Sequence, residues 1–539
     1  MKHRNFRIMI LAIVFGAAIL SWSRTAAQTP RQDPNAGIRK YQAAMQLINF
    51  AYVDTVNEAK LVEKAIVETL KELDPHSVYI SKKDVQKANE PLEGNFDGIG
   101  VQFEILRDTI SVVHAVPGGP SEKLGIMSGD KIVKIEGEQV TGKKITTQFV
   151  LDHLRGKRGT RVNVSIYRKG KKDLIDFTIT RDKIPINSID AAYMIKPGLG
   201  YINLNKFAQS SMQEFTEAMM KLASQGMKNL ILDLRNNSGG YMGTAIELSD
   251  EFLDAGKLIV YTKGRNAPRE DFYSTPKGLF EHGKLVVMIN ENSASASEIV
   301  SGAIQDWDRG IIVGRRSFGK GLVQRPYNLP DSSQIRLTTA RYYNPSGKCI
   351  QKPYDEGNDK YYEDFSNRVK HGELIHPDSI KFPDSLKYYT SKKRVVYGGG
   401  GIMPDVFIPW DSTPVTDYYL ELRRKNVINT FVGDFVDRER KTLKASYPEF
   451  NLYDRGFVLD EPFMKGFFDY ADKQGVKLDE KQYALSEKLI KSQLKGLIAQ
   501  KLWDMTELYT IVNQNDEEVL KAIEVAEDDA LFRKLGIDF

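Results

Sequence analysis

The sequence predicts an α/β core interrupted by a small β-rich module and flanked by helical modules at both ends. Three observations carry this expectation. Between about 183 and 350, apolar strands alternate with amphipathic helices, the pattern of a sheet covered by helices. Between Asp97 and about Arg181 the grammar changes to short strands broken by tight turns. From Ile38 to about Leu73, and again after Pro409, apolar residues recur at helical spacing. At 539 residues the chain is longer than one core serves, so several domains are expected.

The first residues bear on compartment. Lys2, Arg4 and Arg7 precede the apolar run Ile8 to Leu20, and Thr25-Ala26-Ala27 offers small residues before Gln28. This reads as a secretory signal over residues 1–27, cleaved after Ala27. Retention of the segment as a membrane anchor is the alternative, although thirteen apolar residues are short for a span. The chain is therefore expected to be exported, to a periplasmic location. Apolar residues at 41% and charged residues at 27% describe a globular protein. The 76 basic and 71 acidic side chains leave +5, too small a bias to argue for nucleic acid or an anionic surface. A single cysteine, Cys349, excludes an internal disulfide.

An N-terminal helical module is expected over 28–95, with Tyr41, Met45, Ile48, Ala51 and Tyr52 on one stripe and Leu61, Ala65 and Leu70 on another. Its helices end at Leu73-Asp74-Pro75-His76-Ser77, where proline blocks continuation, Asp74 or Ser77 can cap, and His76 reads as structural. The β-rich module is expected over 96–182, with short helices near Ser121 to Leu124 and Thr146 to Leu154. Gly98-Ile99-Gly100-Val101 and Gly129-Asp130-Lys131-Ile132 mark its turns. The core is expected over 183–410. Its strands are Leu199 to Leu204, Leu230 to Leu234, Leu258 to Tyr261 and Leu285 to Ile289, and its helices Ser211 to Ser224 and Thr244 to Leu253. Residues 352–395, dense in Tyr, Lys, Asp and Glu, read as a solvated insertion. Residues 411–539 continue with helical periodicity and read as a separate helical domain that shields the site, self-associates or holds an accessory protein.

The chemistry concentrates in Asn292-Ser293-Ala294-Ser295-Ala296-Ser297-Glu298, with Gly319-Lys320-Gly321 beginning 24 positions after Ser295 and Gln324 beyond it. The run lies between an apolar strand and a segment of helical spacing, so Ser295 is expected at a strand-to-helix junction. There unpaired N–H groups and the positive end of the helix dipole stabilise developing negative charge. A serine hydroxyl is a poor nucleophile until a base takes its proton, and a lysine is that base only when neutral. Burial supplies the neutrality by disfavouring the ammonium. Extended backbone from Lys320 to Gln324 would put Lys320, Leu322 and Gln324 on one face, where Gln324 orients the amine without adding a charge. No metal, nucleotide or other cofactor is required.

Bland and rival readings stand beside this one. Small-residue runs often serve helix packing or capping. Gly314-Arg315-Arg316-Ser317-Phe318-Gly319-Lys320 fits seven positions of a phosphate-binding loop, but Gly321 stands where Ser or Thr should hold magnesium. Nucleotide hydrolysis is the minor alternative that follows. No Gly-x-Ser-x-Gly elbow occurs, and Ser128-x-x-Lys131 and Ser492-x-x-Lys495 lack the companion motifs of that spacing.

Residues 98–101, Pro120-Ser121 to Gly125 and Gly129 to Ile132 resemble a PDZ domain. In that fold glycine-rich amides cradle a terminal carboxylate and an extended peptide adds to an open sheet edge. Together with Leu73 to Ser77, Asp233-Leu234-Arg235-Asn236-Asn237-Ser238-Gly239-Gly240, the serine run, Phe318 to Gly321 with Gln324, Tyr342 to Gly347 and Gly401-Ile402-Met403-Pro404-Asp405, the chain resembles the carboxy-terminal processing peptidases over roughly residues 40 to 410. The resemblance implies a crotonase-like α/β fold of the ClpP/crotonase type, with nucleophile Ser295, base Lys320 and orienting residue Gln324. It implies an oxyanion hole from the backbone of Ala296 and of Gly239 or Gly240, and a peptide-binding loop of Gly98, Ile99, Gly100 and Val101. The expected partners are proteins or peptides with exposed carboxy termini, not nucleic acid. The competitor from another class is a catalytically silent PDZ adaptor.

Overall fold

Four short apolar runs build the centre of the molecule, as seen in a computed structural model that describes Asp33 and residues 35–539. The signal segment expected over 1–27 lies outside the described residues. Strands Leu199–Leu204, Asn229–Asp233, Leu285–Ile289 and Ile311–Gly314 are almost wholly buried, as parallel strands covered on both faces must be. They pair in that order, all parallel. The antiparallel strand Ile189–Lys196 flanks one edge and Val406–Phe407 the other, which gives a six-stranded sheet.

Helices Ser211–Ser224, Met242–Asp250 and Ala296–Asp306 cover one face through Phe215, Leu222, Leu248, Ile299 and Ile304. The opposite face is covered by the C-terminal helices Glu517–Glu527 and Asp529–Lys534, which contribute Val519, Ala522, Ile523 and Phe532. The helical stretch 411–539 thus has two packing partners. Its earlier helices, including Val427–Ser446 and Glu480–Leu502, bury a core of their own around Phe431, Phe467 and Leu494.

One of the expected core strands lies outside the parallel sheet. Leu258–Lys263 joins a second, antiparallel sheet with Val78–Ile80, Leu322–Asn328, Gln334–Tyr343 and Glu270–Tyr273. Apolar periodicity alone does not distinguish the two sheets, because both pack on the same helices. This second sheet carries one wall of the candidate site.

The β-rich module is a five-stranded antiparallel sheet, Val101–Leu106, Thr109–Ala115, Lys131–Ile135, Arg161–Tyr167 and Ile175–Thr180, with a small strand Glu138–Gln139 and helix Thr147–Leu154. Asn95–Gly98 pairs with Asp182–Pro185, so the strands entering and leaving the module are zipped together at its base. Val101–Leu106 ends the sheet, and its outer edge pairs with no strand among the described residues. The back of this sheet meets the helical region. Glu104 pairs with Lys501 at 2.6 Å, Arg107 with Asp434, and the Arg440 guanidinium donates to Ser128 Oγ at 2.7 Å.

The chain divides into two compact units, residues up to Leu70 and Lys71–Phe539. The first contains helix Ala36–Ala51, which buries none of its residues, and most of helix Glu58–Lys71. Among the described residues no helix is long and apolar enough to cross a membrane.

Most of the insertion 352–395 is exposed, as its composition suggests, but a few of its residues are buried against the core. Helix Asn358–Lys370 buries Tyr361 and Arg368, and Leu374 is buried beyond it. The buried charges among them are paired. The Glu373 carboxylate accepts from Arg316 and Arg368, and Arg368 also donates to the carbonyls of Arg316 and Ser317. This buried network fastens the insertion to the loop that leads to Lys320.

Candidate active site

Strand Leu285–Ile289 leads into the serine run, and helix Ala296–Asp306 leaves it. Ser295, the residue before the helix, has φ 54° and ψ −110°. For a residue with a Cβ this backbone costs about 1–3 kcal/mol and persists only when its surroundings over-determine it. The neighbouring serines supply that support. Ser293 Oγ donates to the Leu234 carbonyl and accepts from Asn290 N–H, while Ser297 Oγ donates to the Asn237 carbonyl. Ala294 N–H donates to that same carbonyl at 3.0 Å. Ser293 and Ser297 are thus internal struts, and Ser295 is the serine of the run that lines a cavity of about 570 Å³.

Lys320 and Gln324 line the same cavity, with Gly239, Gly240, Tyr342 and His76. Two buried groups hold Ser295 and Lys320 in register. The Glu298 carboxylate accepts the N–H of Ser295 at 2.8 Å and of Lys320 at 2.9 Å on one oxygen, and Ser317 Oγ–H and Gly319 N–H on the other. The Tyr342 hydroxyl lies 3.1 Å from the Ser295 carbonyl and 2.6 Å from the Lys320 carbonyl. Sequence reasoning quoted Glu298 and Tyr342 but gave neither a role. Burial pushes the Glu298 carboxyl up, against the four donors that pull it down. Four donors converging on two oxygens fit the ionised form.

Burial also lowers the Lys320 pKa below its ordinary value, while the charges of Glu298 and Asp74 pull it upward and Arg336 pushes it down. Among the described residues no hydrogen bond joins Lys320 Nζ to Ser295 Oγ or to Gln324. The Gln324 amide instead donates to Thr338 Oγ1 at 3.2 Å. Lys320, Leu322 and Gln324 line one cavity, as the expected alternation requires. The ladder shifts register between Val323 and Gln324, opposite Thr339, and Val323 lines the cavity as well.

The Asp233 to Gly240 loop packs directly on the serine turn. A Cβ on Gly239, at φ 103°, would meet Ser295 Cβ and the Ala294 carbonyl oxygen, each at 2.9 Å. Gly239 N–H already donates to Asn237 Oδ1 at 2.9 Å. Gly240 N–H and Ala296 N–H have no acceptor among the described residues. Arg235 anchors the loop from behind through Asp233, Asp516 and Glu518, and Arg315 reaches Glu291 and the same Glu518. The C-terminal segment therefore braces two loops of the site.

His76, read from sequence as structural, faces the cavity. Its Nε2 lies 2.8 Å from the Tyr361 hydroxyl of the insertion. Burial foremost, then the nearby Lys320 charge, lowers its pKa to about 4, so it is neutral near pH 7. The phosphate-binding alternative fails on geometry. Lys320 is followed by strand Leu322–Asn328 and not by a helix whose N-terminus could hold phosphate.

The four residues expected to bind peptide lead into strand Val101–Leu106, with Gly98, Ile99 and Gly100 buried and Val101 half-buried, and none of them lines the cavity that Ser295 lines. Gly100 has φ 74°, a value glycine adopts without strain. The Ile99 carbonyl accepts from Ser121 Oγ and the Gly100 carbonyl from Val116 N–H, which fixes the loop against the module's first helix.

Comparison with known proteins gives matches along most of the chain. Peptidase family S41 matches residues 198–357 and the PDZ domain residues 98–179. The activating protease CtpB N-terminal domain matches residues 18–84, and a family of unknown function, DUF8443, residues 418–504. The carboxy-terminal-processing protease of Bartonella bacilliformis is 33% identical over 353 residues, spanning 65% of this chain and 80% of that protein. A probable CtpA-like serine protease of Staphylococcus aureus is 32% identical over 348 residues, 64% of this chain and 68% of its own. Among solved structures, the photosystem II D1 C-terminal processing protease shares 29% identity over 57% of this chain and 88% of its own, with a TM-score of 0.32.

Proposed function

This chain belongs to the carboxy-terminal-processing serine peptidases of family S41, and on that premise we propose that it cleaves exported proteins bearing exposed, apolar carboxy termini through a Ser295–Lys320 dyad. The observation that carries the proposal is the shared anchoring of the two residues. One oxygen of Glu298 and one hydroxyl of Tyr342 each contact both backbones, at the wall of one cavity.

The reaction is acyl transfer. Ser295 Oγ attacks the scissile carbonyl carbon while Lys320 Nζ takes its proton, and negative charge gathers on the former carbonyl oxygen. Ala296 N–H and Gly240 N–H are the donors available to that oxygen, since Gly239 N–H is committed to Asn237. The tetrahedral intermediate collapses, Lys320 returns the proton to the departing amine, and the acyl group stays on Ser295. Water then attacks with Lys320 again taking a proton, which releases the new carboxylate and restores the serine. Gln324 orients the lysine throughout.

The PDZ domain, residues 96–182, selects the substrate. Gly98, Ile99, Gly100 and Val101 take the terminal carboxylate and the open edge of Val101–Leu106 takes the peptide as an added strand. Tethering there raises the effective concentration of the chain at the peptidase core, residues 183–410, for which a crotonase-like fold is inferred. Residues 1–27 are taken as an export signal to the periplasm, 28–95 as the N-terminal helical module, and 411–539 as the helical domain available for self-association or an accessory protein.

Rates for Ser295→Ala, Lys320→Ala and Gln324→Ala on an unfolded test protein check the dyad. The first two are expected to be inactive and the third impaired, and full activity in either of the first two rejects it. Equal cleavage of that protein with a free and with an amidated terminus rejects tail recognition.

A further inference from the structure

Gln324 has an amide whose two ends do opposite things, and only the carbonyl oxygen can accept a hydrogen bond from a lysine. What fixes its orientation is a chain of hydrogen bonds running to a buried carboxylate. Gln324 Nε2 donates to Thr338 Oγ1 at 3.2 Å, and Thr338 Oγ1 donates to Asp74 Oδ1 at 3.0 Å. Asp74 is 6% exposed and also accepts His76 N–H, Ser77 N–H and Ser77 Oγ–H, so each of its contacts is a donor. A threonine hydroxyl carries one hydrogen. Once that hydrogen points to Asp74, Thr338 can only accept from Gln324, and the amide must turn its NH₂ end toward it. The carbonyl end is left for the cavity that Lys320 lines.

The pieces of this chain are remote in sequence and fixed by strand pairing. Val78 stands opposite Arg336 and Gln324 opposite Thr338, so strand Gln334–Tyr343 carries the Leu73 to Ser77 loop on one edge and Gln324 on the other. Thr338 N–H donates to Ser77 Oγ at 3.1 Å, which holds its backbone as well as its side chain.

We propose that Asp74 and Thr338 are positioning residues of the peptidase reaction: they set the polarity of the Gln324 amide, so that its oxygen, not its NH₂ group, is presented to Lys320. The inference rests on the dyad reading above. It explains why a neutral side chain suffices as the orienting group, since its direction is imposed by a charge one residue further out. Without the Thr338 hydroxyl the amide can turn, and its N–H groups then oppose the ammonium that forms when Lys320 takes the serine proton. Asp74 has a second influence, because its charge raises the Lys320 pKa alongside Glu298 and against Arg336. Lys352 and Lys320 are the cations that face the neutral His76 beside it.

The test is a cycle of kcat and KM measurements on Thr338→Val, Thr338→Ser and Gln324→Ala proteins and on the Thr338→Val, Gln324→Ala double variant. Thr338→Val is expected to lower kcat about tenfold, the worth of one oriented hydrogen bond, with KM changed less than about twofold. Thr338→Ser, which keeps the hydroxyl, is expected within about threefold of the parent, and Thr338→Val is expected to add less than about twofold once Gln324 is alanine. Asp74→Asn is expected to move the acid limb of the pH–kcat profile to lower pH, a shift that general loosening of the fold does not produce. Full kcat in Thr338→Val, or the same tenfold loss in the Gln324→Ala background, overturns the inference. Undiminished activity in Ser295→Ala instead rejects the dyad reading beneath it.

Discussion

Replacing Glu298 with glutamine changes one atom in the group that holds Ser295 and Lys320 together. In the parent, one carboxylate oxygen accepts from Ser317 Oγ at 2.5 Å and Gly319 N–H at 2.7 Å, the other from Ser295 N–H at 2.8 Å and Lys320 N–H at 2.9 Å. An amide keeps one acceptor oxygen. If its NH₂ faces Ser295 and Lys320, two backbone donors point at two more donors. The lesser conflict places the NH₂ toward Ser317, whose hydroxyl can turn to accept, and strands Gly319 N–H alone. A stranded buried donor costs about 1–3 kcal/mol, and the two bonds left on a neutral oxygen lose roughly half their charge-assisted strength, about 1 kcal/mol each. The sum is about 3–5 kcal/mol of stability. Urea unfolding followed by circular dichroism reads it, with the midpoint expected to fall and the slope to hold. The Glu298 charge also raises the Lys320 pKa, so the acid limb of the rate profile should move to lower pH in Glu298→Gln. An unfolding free energy within about 1 kcal/mol of the parent refutes the assignment of Glu298 as the common anchor.

Two further outcomes follow from the same geometry. Gly240→Ala would place a Cβ 2.0 Å from the Phe207 carbonyl oxygen, and the backbone shift it forces moves the amide offered to the oxyanion. A fall in kcat of about 10²–10³ is expected with KM little changed, checked by steady-state kinetics on a peptide substrate. Glu373→Gln removes the charge shared by the buried Arg316 and Arg368 guanidinium groups, whose loss is expected to cost about 3–5 kcal/mol. Limited proteolysis should then cut within 352–395 at enzyme concentrations the parent resists.

The contiguous part of this architecture was legible before any coordinates. Strands Leu199–Leu204 and Leu285–Ile289 and helix Ser211–Ser224 fall where apolar periodicity puts them, because each is a single run facing one core. Leu258–Lys263 is a strand where it was expected, but which sheet it joins was not legible, because pairing is a long-range property that a strand's own residues do not encode. The site divides in the same way. Ser295, Lys320 and Gln324 come from one stretch with recognisable chemistry, whereas Asp74, His76, Thr338 and Tyr361 meet only through strand pairing and the docking of the insertion. The polar stretch Asp74 to Ser77 immediately before strand Val78–Ile80 was the available signal, and it was read as a helix stop. Composition marked the insertion as solvated, which most of it is, but could not show that Glu373 bridges Arg316 and Arg368 where the insertion docks.

The central claim is that a buried, neutral Lys320 activates Ser295. Labelling with an arylsulfonyl fluoride across a pH series, with the modified residue located by peptide mass mapping, tests it most directly. The adduct should form on Ser295, at a rate that climbs with pH along one titration whose midpoint lies below the ordinary lysine value of 10.5, and Lys320→Ala should label far more slowly with no such limb. Modification of a different serine, or an unchanged rate and profile in Lys320→Ala, contradicts it.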